Sequence, residues 1–382
     1  MLLSFAFAGL LLAAPADAEP TVDAWLAAAR AHEPGKLDEP VVVLSRWPRD
    51  ATFAVIDRAG RDADVDLGAL TRGLILHTDI ALFERAAGGG AAAGVGRSIR
   101  LLDTERVASL RRTFQWDAGQ RLATTLAKRP QGAPIARAWY RAVAALLQQW
   151  GDFGAVRLHL NQASDLFPDD PILTLYRGTL HQAYADARVQ SYLARQRRRS
   201  SLTPQQVLDG SSDDTAAEPL TASVKATSVE LGFAEGALRR AIELDPALVE
   251  ARIRLAHVLG EVGKANEGAA LARAALAKPL PPFLDYYGAM VLGRNEARLG
   301  HAAEARAAFE RAATLFPHAQ AARVASSASD LAAGRASDAL ASIMAGIGPD
   351  APADRNDPWA WCYRVHEPQA TSLVVDLRAM AR

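Results

Sequence analysis

The stretch LGRNEARLGHAAEARAAFERAATLFP, residues 292–317, places its smallest side chains where they restrict the chain to one kind of architecture. Its apolar residues recur at the i, i+3, i+4 spacing of helices. Gly293, Gly300, Ala305 and Ala312 fall at fixed places along this helical stretch. Pro317 ends the stretch by removing an amide donor and clashing with the preceding turn.

A 34-residue ruler laid along the chain finds further copies. Numbered from Tyr286, Gly293 falls at position 8, Gly300 at 15, Ala305 at 20, Phe309 at 24, Ala312 at 27 and Pro317 at 32. From Arg137 it gives Tyr140, Ala144, Gly151, Leu160, Ala163 and Pro168, with Val156 larger than its place allows. From Val249 it gives Ala256, Gly263, Gly268 and Ala275, and from Gln320 a degenerate copy with Gly334, Ala339 and Gly346. This pattern resembles the tetratricopeptide repeat, a pair of antiparallel helices. The resemblance covers residues 137–350 and implies an all-α, right-handed solenoid of helical hairpins.

One copy is split. PILTLYRGTLHQAYA supplies a first helix with Gly178 at position 8, and ELGFAEGALRRAIELDP a second with Ala234, Leu238, Ala241 and Pro246. Pro168 and Pro246 stand 78 residues apart, 44 more than one repeat, so residues 186–229 read as a loop inserted between the two helices. That insertion carries Arg197, Arg198 and Arg199, either a solvated helix end or a contact for a polyanion. Residues 351–382 depart from the repeat and read as a C-terminal cap. In this reading Trp359, Trp361 and Tyr363 cover the apolar end of the array, since a terminal repeat otherwise exposes its stacking face.

Before the array, residues 19–134 show helical periodicity, interrupted by a Gly/Ala linker at 87–98. PVVVLSRW is the one strand-like run, and a single strand makes no sheet, so it reads as an extended link or a helix start. The layout of this region is similar to that of exported bacterial repeat proteins, a similarity that implies no activity. Residues 1–18 read as a signal peptide: LLSFAFAGLLLAA has h-region length, and Ala-Asp-Ala precedes Glu19. The expected location is periplasmic or secreted, with no stable membrane insertion once the signal is removed.

Forty-three basic residues balance 43 acidic ones, so no overall field recruits nucleic acid. Cys362 is the single cysteine, which excludes intrachain disulfides and cysteine-rich metal sites. No H-E-x-x-H or G-x-S-x-G pattern occurs. No catalytic residue, cofactor or metal is expected. The rival reading of an enzyme places its site in the N-terminal region around His77, whose neighbour Asp79 diverges from it on a helix.

The expected role is a non-enzymatic scaffold that binds a partner protein or extended peptide on the concave face of the repeats. The resemblance implies that positions 2, 5, 9, 12 and 13 of each first helix line that face. They select Arg141, Gln148 and Gln149; His257 and Glu261; and Tyr287, Met290, Arg294 and Arg298. Arg294 and Arg298, with Tyr287 two turns earlier, share a face suited to a carboxylate or acidic peptide. The alternative is a glycan- or envelope-binding module built on the C-terminal tryptophans.

Overall fold

The computed structural model describes residues 19–91, 114–187, 189–190, 220–347, 357–365 and 367–381. The proposed signal peptide, Arg197–Arg199 and linker residues 92–98 lie outside them. The described residues are all-α, without a strand. They group into two compact units, Met1–Ala142 with Ser372–Arg382, and Val143–Thr371.

The N-terminal unit holds α1 (Val22–Ala31), α2 (Glu39–Leu44), α3 (Arg49–Arg61), α4 (Leu67–Ala91) and a helix over 114–127, here α5. The valine run is helical, not extended. Asp38 accepts from the Val41 amide at 3.2 Å, and Pro40 lies in the first turn, where its missing amide costs nothing. Helix α4 continues through Gly88, Gly89 and Gly90 to Ala91, so residues 87–91 are helical where the sequence suggested a linker.

The repeats appear as TPR-like hairpins. Helix α6 (Ala133–Trp150) precedes α7 (Phe153–Leu166), and α8 (Pro171–Ala185) pairs with α9 (Leu220–Leu244). Next come α10 (Val249–Glu261) with α11 (Ala265–Ala275), α12 (Pro282–Arg298) with α13 (Ala302–Leu315), and α14 (Gln320–Ala332) with α15 (Ala336–Ile347). Helix α9 begins at Leu220, ten residues before the second half of the split repeat as read from the sequence.

Close helix crossings explain the small residues. A Cβ placed on Gly293 would stand 2.5 Å from Cε1 of Phe309, and one on Gly178 would stand 2.7 Å from Cγ of Leu238. Both contacts join position 8 of a first helix to an apolar residue of its partner. Glycine at position 15 has a different cause: Gly263 and Gly300 have φ of 84° and 79°, a left-handed conformation that other residues resist. The next amide in each case, Lys264 or His301, returns to the carbonyl five residues back, at 2.8 and 3.0 Å. The first helix thus stops on its own carbonyls before the chain reverses, and Gly151 and Gly334 repeat the device.

Ala305 is fully buried, whereas Ala303, two positions away, is exposed. Ala305→Leu is expected to cost about 1–3 kcal/mol through overpacking, and Ala303→Leu far less. Thermal denaturation of the two variants checks this. Equal melting temperatures would contradict the hairpin packing.

Candidate functional site: an inner surface lined by first helices

The residues selected for partner contact divide into two groups. Gln148, Tyr287 and Met290 are buried with the tail segment in place. Gln148 Nε2 donates to the Tyr176 carbonyl at 2.7 Å, and Met290 lies in the core formed by Tyr286, Phe309 and Ala322. Positions 2, 5 and 12 carry these three side chains, and here they serve packing between repeats. Arg141 and Gln149 are half-buried, and Arg141 belongs to the N-terminal unit.

His257, Glu261, Arg294 and Arg298 do come together. Glu261 stands 3.4 Å from Arg294 and 2.5 Å from Arg298, so the expected carboxylate is present as a residue of the chain itself. Burial works against the charge on Glu261, but the guanidinium groups of Arg298 and Arg294 hold its carboxyl below the usual range. His257 Nδ1 lies 2.8 Å from both the Tyr287 hydroxyl and Gln182 Nε2. Burial lowers its pKa to about 4, leaving a neutral ring. The ring beneath Arg294 is Trp359, 5.3 Å from the guanidinium carbon, where the sequence suggested Tyr287.

Trp359 is there because the described tail residues run along the first helices and do not close the end of the array. Residues 357–365 lie against the first helices, and Leu331, Leu340 and Met344 of the last hairpin stay exposed. This departs from the expected cap. Asp357 opens the segment: its carboxylate accepts from the Tyr286 hydroxyl at 2.9 Å and from the Ala321 amide at 2.6 Å. Helix α14 has no side-chain cap of its own, so this remote carboxylate takes up one of its free first-turn amides. Asp357 also accepts from the Trp359 amide at 2.9 Å, capping a 3-10 turn over Pro358–Trp361.

The Trp359 ring packs 5.3 Å from His257 and 5.9 Å from Tyr287. Further along, Arg254 of α10, with no exposed surface, donates to the carbonyls of Cys362 at 2.8 Å and Arg364 at 3.1 Å. Its other bonds run to Glu250 at 2.8 Å and Gln182 Oε1 at 3.2 Å. Burial opposes the charge of Arg254, but Glu250 and its other partners hold the pKa above the ordinary arginine value. Arg364 ends the run, donating to the Gln149 carbonyl at 3.1 Å while its guanidinium covers the ring of Trp361 at 4.5 Å.

Sequence reasoning missed Gln182 and Arg254. Gln182 stands at position 12 of the split repeat, where the same ruler would have found it. Arg254 stands at position 6, outside the selected set, and its acceptors are main-chain carbonyls without a sequence signature.

The rival enzyme site is closed. His77 is fully buried: its Nε2 accepts from the Trp25 indole at 3.1 Å, its Nδ1 is 2.8 Å from Gln115 Oε1, and burial lowers its pKa to about 4. Asp79 faces elsewhere, accepting from His32 at 2.9 Å, the Gly35 amide at 2.7 Å and Arg378 Nε at 2.9 Å. Arg378 lies in α16 (Glu367–Ala379), the tail helix expected to help close the array. Arg294 lies over the half-buried ring of Trp359, which packs against His257 and Tyr287, whereas Trp361 carries Arg364 on its ring but stays exposed, so the two tryptophans of the glycan reading do not form a joint open platform. Among the described residues no group of three side chains is placed to hold a metal ion, and no helix is long and apolar enough to cross a membrane.

No protein-family model matches the chain, and no curated protein matches it. Among solved structures, a MamA mutant is 18% identical with a TM-score of 0.35, over 56% of this chain and 96% of that one. MamA AMB-1 gives 18% and 0.35, over 54% and 94%. A monomeric IFIT1 mutant with Gppp-AAAA is 11% identical with a TM-score of 0.33, over 78% of this chain and 61% of that one. At these values the likeness carries no argument about function, and the fold rests on the chain's own hairpins.

Proposed function

We propose that this protein is an exported, non-enzymatic scaffold that holds a peptide segment of a partner protein on the inner surface of its repeats. The observation that supports the reading is Arg254: a fully buried guanidinium, set among first helices, that donates to two main-chain carbonyls of another segment. Carbonyls spaced along a chain are what any polypeptide offers, and a buried arginine needs acceptors in order to stay there. The equal numbers of basic and acidic residues favour a protein partner over nucleic acid.

The experiment is recovery of tagged full-length protein from the cell envelope. Material beginning at Glu19 and retaining a defined polypeptide is the expected result. Intact Met1 on cytoplasmic material would end the export reading. A purified protein that retains no polypeptide, in the wild type and in the opened variants described next, would end the scaffold reading.

A further inference from the structure

The inner surface already holds a peptide, and the way it does so indicates what a partner must offer. Three features of 357–365 are read by side chains or amides of the repeats. The Asp357 carboxylate takes the Tyr286 hydroxyl and the Ala321 amide. The Trp359 ring enters a site formed by His257, Tyr287 and Arg294. The carbonyls of Cys362 and Arg364 satisfy Arg254. Between the first two, Pro358 is buried, and the Asp357 cap holds the turn that joins carboxylate and ring.

From this geometry we infer that the partner segment is a capped Asp-Pro-aromatic turn followed by a short non-helical stretch, and that it binds by displacing residues 357–365. The inference rests on the scaffold reading and names the ligand of the same surface. The chemistry excludes weaker mimics. An aromatic ring alone leaves Tyr286 and Ala321 without their acceptor, and a carboxylate alone leaves Arg254 without carbonyls. A sugar offers neither a carboxylate next to a turn nor spaced amide carbonyls. Glu261 already pairs with both Arg294 and Arg298 and leaves a single positive charge in excess there, so the surface does not call for an acidic run. The resident segment competes as an intramolecular ligand, whose effective concentration reaches about the millimolar range. An incoming peptide therefore binds weakly until that segment is loosened.

The test uses full-length protein and a fluorescent peptide of residues 357–365, DPWAWCYRV, kept reduced. Asp357→Ala and Trp359→Ala each weaken the resident segment, and Asp357→Ala does so without removing core volume. With helicity confirmed, both variants should bind the peptide at least about tenfold more tightly than the wild type, as expected when an internal competitor is weakened. The same peptide with alanine for both Asp357 and Trp359 should not bind. Equal affinity for wild type and both variants, or equal binding of the alanine peptide, would overturn the inference. Variants that retain a cellular polypeptide but reject DPWAWCYRV would overturn this ligand pattern and leave the scaffold reading standing. Variants that bind neither would overturn both.

Discussion

Arg254→Ala will destabilise the repeat unit by about 3–5 kcal/mol, the cost of removing one partner from a buried ion pair. The substitution strands the Glu250 carboxylate, which is buried beside it, and removes the donor from the carbonyls of Cys362 and Arg364. For a unit of this size the expected fall in Tm is on the order of 10 °C. Arg311→Ala is the control. It breaks a surface pair with Asp285 at 2.7 Å and should change stability by no more than about 1 kcal/mol. Arg254→Ala melting like Arg311→Ala would mean that the tail carbonyls are not held by this guanidinium.

Acid will destabilise the N-terminal unit through His77. The native ring titrates at about 4 because burial disfavours its charged form, whereas an unfolded histidine titrates near 6.5. Between those values the unfolded chain binds a proton that the native chain does not, so stability falls with pH, by up to about 3 kcal/mol at pH 4. His32 acts in the opposite sense. Burial opposes its charge, but hydrogen bonds to Asp79 and Asp38, at 2.9 and 2.8 Å, raise its pKa above the ordinary value. That stabilisation is fully present below about pH 6.5 and is lost as pH rises through the raised pKa. Urea denaturation from pH 4 to 8 should therefore show stability declining on both sides of near-neutral pH. His77→Gln should reduce the acid-side loss, leaving the part contributed by His257, which burial also lowers to about 4. An unchanged acid side in that variant would contradict the assignment.

The hairpins were legible because their constraints are local and periodic. Gly293 against Phe309, Gly178 against Leu238 and the left-handed Gly263 and Gly300 are each required by geometry within a single repeat, so each leaves a residue-type signature at fixed spacing. The candidate site was half legible. Its position rule brought His257, Glu261, Arg294 and Arg298 together, because i, i+4 neighbours on adjacent first helices must meet. The rule marks which side of a helix faces inward, not what lies against it. Tyr287 and Met290 satisfy it and are buried by neighbouring repeats and the tail. The tail escaped because its contacts are distant in sequence and are largely made to backbone: Arg254 reaches carbonyls more than a hundred residues away, and Asp357 reaches the Ala321 amide. Tryptophans placed after a repeat array suit an end cap and an inner-surface ligand equally. Only tertiary structure separates the two.

That the chain's own segment 357–365 occupies the inner surface of its repeats is tested most directly by a double-mutant cycle on Tyr286 and Asp357, whose hydroxyl and carboxylate stand 2.9 Å apart. Stabilities of the wild type, Tyr286→Phe, Asp357→Ala and the double variant give the coupling between a first helix and the tail. Groups in contact couple by about 0.5–3 kcal/mol, and a value in that range is the predicted result. Strict additivity of the two substitutions would place the tail elsewhere and remove the basis for both the scaffold surface and its ligand.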